Sequence, residues 1–261
     1  MIIDCHGHYT TTPPQIEAYR NEQRALLAQD QNHIFTKGHV TISDDEIRDS
    51  IVNNQLKVQQ DRGTDVTIFS PRASWMGQDL GNASTSEAWT GICNDLIRRV
   101  CDLFPKNFVP VCQLPQSPKT SLDASITELT RCVEEMGFVG CNLNPDPSGG
   151  FWKDPRLGDR YWYPLYEKMT ELGVPAMIHV SGACQHSLDT TSSYSLGADT
   201  TAFTQLLFSD VFVDFPDLKL IIPHGGGAVP YHWGRFKGIA QDRGIGDLDE
   251  RVLNNIYFDT C

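Results

Sequence analysis

A chain of 261 residues with a net charge of −12 is long enough to bury one α/β core and has the wrong sign for binding nucleic-acid phosphate. No apolar run approaches the roughly 18 residues of a membrane span, and the N-terminus lacks the basic and apolar regions of a secretory signal. Eight cysteines without CxxC spacing, mostly beside apolar residues, fit reduced, buried thiols in a cytoplasmic protein.

Strand-like and helix-like runs alternate along the chain. The first strand, Ile2-Ile3-Asp4-Cys5-His6-Gly7-His8, ends in a His-x-His. Residues 9–42 are polar, proline-bearing and expected to be irregular, as an insertion or lid on a single domain spanning 1–261. Ser43 to Glu46 reads as a capping box, opening a helix through Ile47, Ile51 and Val58 that Gly63 ends. Val66–Ser70 is the second strand and runs into Pro71-Arg72-Ala73-Ser74; a second capping pattern, Ser84 to Glu87, opens the next helix. Phe108–Cys112 gives a third strand, Leu122 to Met136 a helix stopped at Gly137, and Phe138–Leu143 a fourth strand. That strand empties into the loop Asn144-Pro145-Asp146-Pro147-Ser148-Gly149-Gly150.

The second half repeats the scheme. Helix 161–172, strand Pro175–Val180, a Ser/Thr-rich loop through Tyr194, a helix from about Thr200 to Phe215 and strand Leu218–His224 follow in turn. Gly225-Gly226-Gly227, a helix through Trp233 and Phe236, and a seventh strand at Asn255–Asp259 complete the chain. Continuously apolar strands alternating with amphipathic helices predict a parallel sheet, and seven such units predict a (β/α)8 TIM-type barrel. A barrel closes with eight strands, so the expectation is one truncated before strand eight. An open doubly wound sheet is disfavoured because no glycine-rich phosphate turn follows the first strand.

In such a barrel the C-terminal strand ends face one site. His6, His8, Arg72, Asn142, Asn144, His179, His224 and Asp259 all lie at or just past those ends. Residues i and i+2 of a strand share a face, so His6 and His8 can hold one ion, with His179 as third ligand in an open catalytic shell. His224 precedes three glycines and reads as a proton-transfer residue beside the metal, or as a prop for it. The fourth strand carries asparagine where a carbamylated lysine would bridge two metals, so one ion is expected. Arg72, with neighbouring Ser74, and Arg235 are candidates to bind carboxylates, Arg235 alternatively as a surface ion-pair partner. A metal and these arginines would supply a local positive field on an acidic surface. Tyr194 is a candidate acid or base, or a packing residue. The aromatic tract Phe151-Trp152 with Tyr161-Trp162-Tyr163 is expected to pack a helix on the barrel.

His6-Gly7-His8, Ile178-His179-Val180 and Pro223-His224-Gly225-Gly226-Gly227 resemble the amidohydrolase superfamily, in the branch of aminocarboxymuconate-semialdehyde decarboxylase. Within that branch, Ser70–Ser74, Asn142–Gly150 and Pro223–Phe236 resemble its hydratases, and the likeness covers essentially the whole chain. The resemblance implies a zinc-dependent hydro-lyase, with manganese as the alternative ion. It would add water to 4-oxalomesaconate, an unsaturated tricarboxylate, giving 4-carboxy-4-hydroxy-2-oxoadipate in protocatechuate 4,5-cleavage. Asn142 and Asn144 would join Arg72, Ser74 and Arg235 in binding substrate, and the branch's habit of dimerising implies a homodimer. Members carry an acidic residue at the end of strand eight, which this chain does not reach, implying impaired activity or part of a longer protein. Three rival readings are a metal-dependent decarboxylase of an unsaturated or aromatic acid, a metal-dependent hydrolase, and a non-catalytic metal-binding barrel.

Overall fold

The computed structural model describes residues 1–182 and 187–260. Its strands are β1 (Ile3–Tyr9), β2 (Val66–Pro71), β3 (Phe108–Pro110), β4 (Cys112–Gln113), β5 (Cys141–Leu143), β6 (Ala176–Ile178), β7 (Leu220–Ile222) and β8 (Ile256–Phe258). All pair in parallel, in the orders β1-β2-β3 and β4-β5-β6-β7-β8. The third predicted strand is thus two short ones. Val111 N–H donates back to Phe69 O at 2.8 Å, while Cys112 N–H donates forward to Gly140 O at 3.1 Å, so hydrogen bonding continues across the break. Seven barrel strands result, with helices outside them. β1 and β8 do not pair with each other among the described residues.

The helices are α1 (Pro14–Gln29), α2 (Asp44–Val52), α3 (Gln55–Asp61), α4 (Ala83–Leu103), α5 (Asp123–Thr130), α6 (Tyr163–Leu172), α7 (Ser195–Leu207), α8 (Val211–Asp214), α9 (Trp233–Asp242) and α10 (Leu248–Val252). Trp89, Trp162 and Phe203 are fully buried against the strands, so the expected packing role of the aromatic tract holds for Trp162. No helix is long and apolar enough to cross a membrane among the described residues, and the six described cysteines are free thiols.

Several boundaries differ from expectation for local reasons. The stretch 9–42 is not irregular throughout. α1 starts at Pro14, where proline's fixed φ suits a first turn. Two of its four buried residues, Arg20 and Gln23, are polar, which hides the amphipathic stripe. The helix expected from Ser43 to Gly63 breaks at Asn53-Asn54, although the Ser43–Glu46 capping box forms as read. α4 is capped by Asn82 with Thr85, two residues before the pattern read in the sequence. The helix ending at Gly137 finishes in a π-helical turn, Arg131–Glu135. The helix expected from Thr200 starts earlier, at Ser195, and ends at Leu207.

Candidate metal centre

Four histidines meet at the C-terminal strand ends. His6 and His8 come from β1, His179 follows β6 and His224 follows β7. Ring centroids are 4.8 Å apart for His6–His8, 5.2 Å for His6–His179 and 5.0 Å for each of His8–His179, His6–His224 and His179–His224. Ring nitrogens of His6, His179 and His224 lie within 4.8 Å of one another.

β1 is built to deliver its pair. Its register with β2 slips between Asp4 and Gly7, so Cys5 and His6 together stand opposite Ile68. Such bulges re-aim side chains beside active sites. A Cβ on Gly7 would lie 2.2 Å from Thr67 Cγ2, so the residue between the histidines must be glycine for β1 to seat on β2.

Each imidazole is anchored through Nδ1. His6 Nδ1 meets Asp259 Oδ2 at 2.8 Å, His8 Nδ1 meets Ser70 Oγ at 2.7 Å, His179 Nδ1 meets Val180 O at 2.7 Å and His224 Nδ1 meets Asp199 Oδ2 at 2.8 Å. A carbonyl or carboxylate oxygen only accepts, so three of these nitrogens carry the proton. Ser70 Oγ accepts from Asn142 Nδ2 at 3.0 Å and can give its one proton to Gly7 O or Pro71 O, and it then accepts from His8 Nδ1 as well. With Nδ1 protonated, Nε2 is left as the lone-pair nitrogen, the arrangement metal-binding histidines show.

His8 Nε2 is buried with no hydrogen-bond partner among the described residues. An orphaned buried acceptor costs about 1–3 kcal/mol unless something occupies it, and a cation among neighbouring imidazoles would do so. Burial also lowers the basicity of three rings. It takes His179 down to about 3 and His8 well below its ordinary value, each helped by neighbouring histidines. It lowers His6 as well, against the pull of Asp259. Neutral imidazole is the form that ligates metal.

Asp259 ties the centre together. Besides His6 it accepts the backbone N–H of His224 at 3.2 Å and of Gly225 at 2.6 Å, linking the ends of β1, β7 and β8. Its place among the converging residues was legible; its part as an anchor was not. Ser70 and Asp199 were missed. For Asp199 the available signal is the lone charge in the otherwise uncharged stretch Thr190–Ser209.

The other expected site residues are dispersed. Asn142 braces Ser70 from below His8, and Asn144 bonds Gln78 Oε1 through Nδ2 and Asp146 N through Oδ1, so its side chain is engaged within the protein. Arg72 stacks over Trp75 at 4.4 Å, its Nε donating to Ser74 Oγ at 3.1 Å, and pairs with no carboxylate among the described residues. Arg235 is exposed on α9, with no contact to the histidines among the described residues. Tyr194 is buried with Val180 and Ala198, beside Trp152. A cavity of about 120 Å³ touches His6, His8, Ser70 and Asn142 and continues between Ile68 and Met177. A groove of about 990 Å³ lined by Lys153, Arg156 and Arg160 is larger but contains none of these residues, so size does not identify the site.

A parallel α/β barrel with histidines gathered at its C-terminal strand ends is the architecture of the barrel metalloenzymes. The chain belongs to the amidohydrolase family, whose model matches residues 3–261. It is 56% identical over all 261 residues to 2-keto-4-carboxy-3-hexenedioate hydratase of a Sphingobium species, covering 76% of that protein. The crystal structure of 4-oxalomesaconate hydratase, LigJ, from Rhodopseudomonas palustris superposes with a TM-score of 0.89 at 53% identity, over 100% of this chain and 74% of the other. A 2-amino-3-carboxymuconate-6-semialdehyde decarboxylase from Dictyostelium discoideum is 30% identical over 151 residues, 55% of this chain and 39% of its own length.

Proposed function

We propose that this chain is a zinc-dependent hydro-lyase that adds water across the double bond of 4-oxalomesaconate, giving 4-carboxy-4-hydroxy-2-oxoadipate. The observation that carries the reading is the 56% identity along the whole chain to a hydratase, with a hydratase structure at 53%. A decarboxylase is similar at 30% over about half the chain, so decarboxylation is the weaker reading.

His6, His8 and His179 would hold the ion, since His8 Nε2 has no other buried partner and three imidazoles suit zinc with one position open. Bound there, zinc would supply a Lewis acid that polarises an oxygen. Arg72, unpaired and stacked on Trp75, would take a substrate carboxylate through the N–H groups that Ser74 leaves free. His224, its Nδ1 held by Asp199, would accept at Nε2 the proton that water loses as its oxygen bonds to carbon. A second proton must reach the neighbouring carbon, and Tyr194 is the candidate donor. Oxygen-18-labelled water tests the reading by mass spectrometry. One labelled oxygen and no carbon loss are expected; a product lighter by carbon dioxide would overturn it.

A further inference from the structure

Asp199 is the anchor that stands farthest from the strand ends. It sits on α7 and is 1% exposed. One carboxylate oxygen receives His224 Nδ1–H; the other, Oδ1, is buried without a partner among the described residues. The carboxylate's one hydrogen bond among the described residues is therefore the contact with His224.

The packing that allows the contact is specific. A Cβ on Gly227 would lie 2.7 Å from Leu196 O, 2.7 Å from Thr200 Oγ1 and 3.1 Å from Asp199 Cβ, so only glycine lets α7 come this near the loop after β7. Thr200 Oγ1 accepts the N–H of Ala228 at 3.0 Å, fastening the same helix turn to the same loop. His224 itself has a left-handed backbone, φ 53°, held by Asp259 through two N–H groups. Its main chain is therefore fixed from the β8 side and its ring from the α7 side.

We infer that Asp199 is a positioning residue, fixing His224 as the Nδ1–H tautomer so that Nε2 faces the histidine cluster as proton acceptor. The step His224 serves rests on the hydratase reading; its tautomer does not. A carboxylate behind an imidazole orients it and raises the basicity of the far nitrogen.

Long-range proton–nitrogen NMR on histidine-labelled, zinc-loaded protein, with His224 assigned through His224→Gln, reads the tautomer directly. The wild type is expected to carry the His224 proton on Nδ1. In Asp199→Asn the amide can donate to Nδ1, which moves the proton to Nε2; kcat should fall about 10- to 100-fold with KM within about twofold. A wild-type proton on Nε2 would overturn the inference, whether or not the variant folds. So would an Asp199→Asn protein that keeps both tautomer and kcat. If the wild type failed to hydrate 4-oxalomesaconate, the functional reading would fall while the spectrum still decided the role of Asp199.

Discussion

Four residues behind the imidazoles set the chemistry of the centre. Asp259, Ser70, the Val180 carbonyl and Asp199 each take one Nδ1 and leave one Nε2 to the site. Ser70→Ala removes the acceptor that orients His8, and should weaken zinc binding about 10- to 100-fold, measured by competition with a chromophoric chelator. Arg72→Ala should raise KM about 10- to 100-fold with kcat little changed. That matches the loss of a charge-assisted hydrogen bond worth about 1.5–3 kcal/mol, and steady-state kinetics would check it. The histidines were legible because a polar, ionisable residue at the end of an apolar strand has few structural reasons to be there. Their anchors were not. A serine within a strand and an aspartate within a helix become informative only once the fold brings them to a ring nitrogen 62 or 25 residues away.

At the scale of elements, glycine decides how closely strand and helix approach the centre. Gly7→Ala would drive a methyl into Thr67 and push β1 off β2, splitting His6 from His8. Overpacking of this kind costs about 1–3 kcal/mol, so a lower thermal midpoint together with substoichiometric zinc is expected. Calorimetry and metal analysis check both. The alternation of strands and helices was legible from hydrophobic period alone, since strands buried on both faces read as unbroken apolar runs. What escaped were elements whose buried faces are polar. α1 hides Arg20, whose guanidinium donates to Met76 O and Gly77 O over the Trp89 ring, so its inward stripe does not look apolar.

For the molecule as a whole, desolvating His179, His8 and His6 within one site makes stability depend on pH. The pKa of His179 is held at about 3, below the ordinary 6.5, so between those values the unfolded chain binds a proton that the folded one refuses. Metal-free protein should therefore lose stability as pH falls from 6.5 towards 3, by about 1 kcal/mol from this one group at pH 5.5. His8 and His6 push in the same direction. Urea unfolding at pH 7.5 and 5.5 measures it. Above about pH 7.5 the effect is absent. The central claim joins site to reaction, and a proton NMR time course with 4-oxalomesaconate tests it most directly, run on zinc-loaded and chelator-stripped protein. The loaded protein should convert the vinyl signal to those of 4-carboxy-4-hydroxy-2-oxoadipate with no carbon dioxide evolved, and the stripped protein should not. Carbon dioxide release, or equal turnover after stripping, would contradict the account.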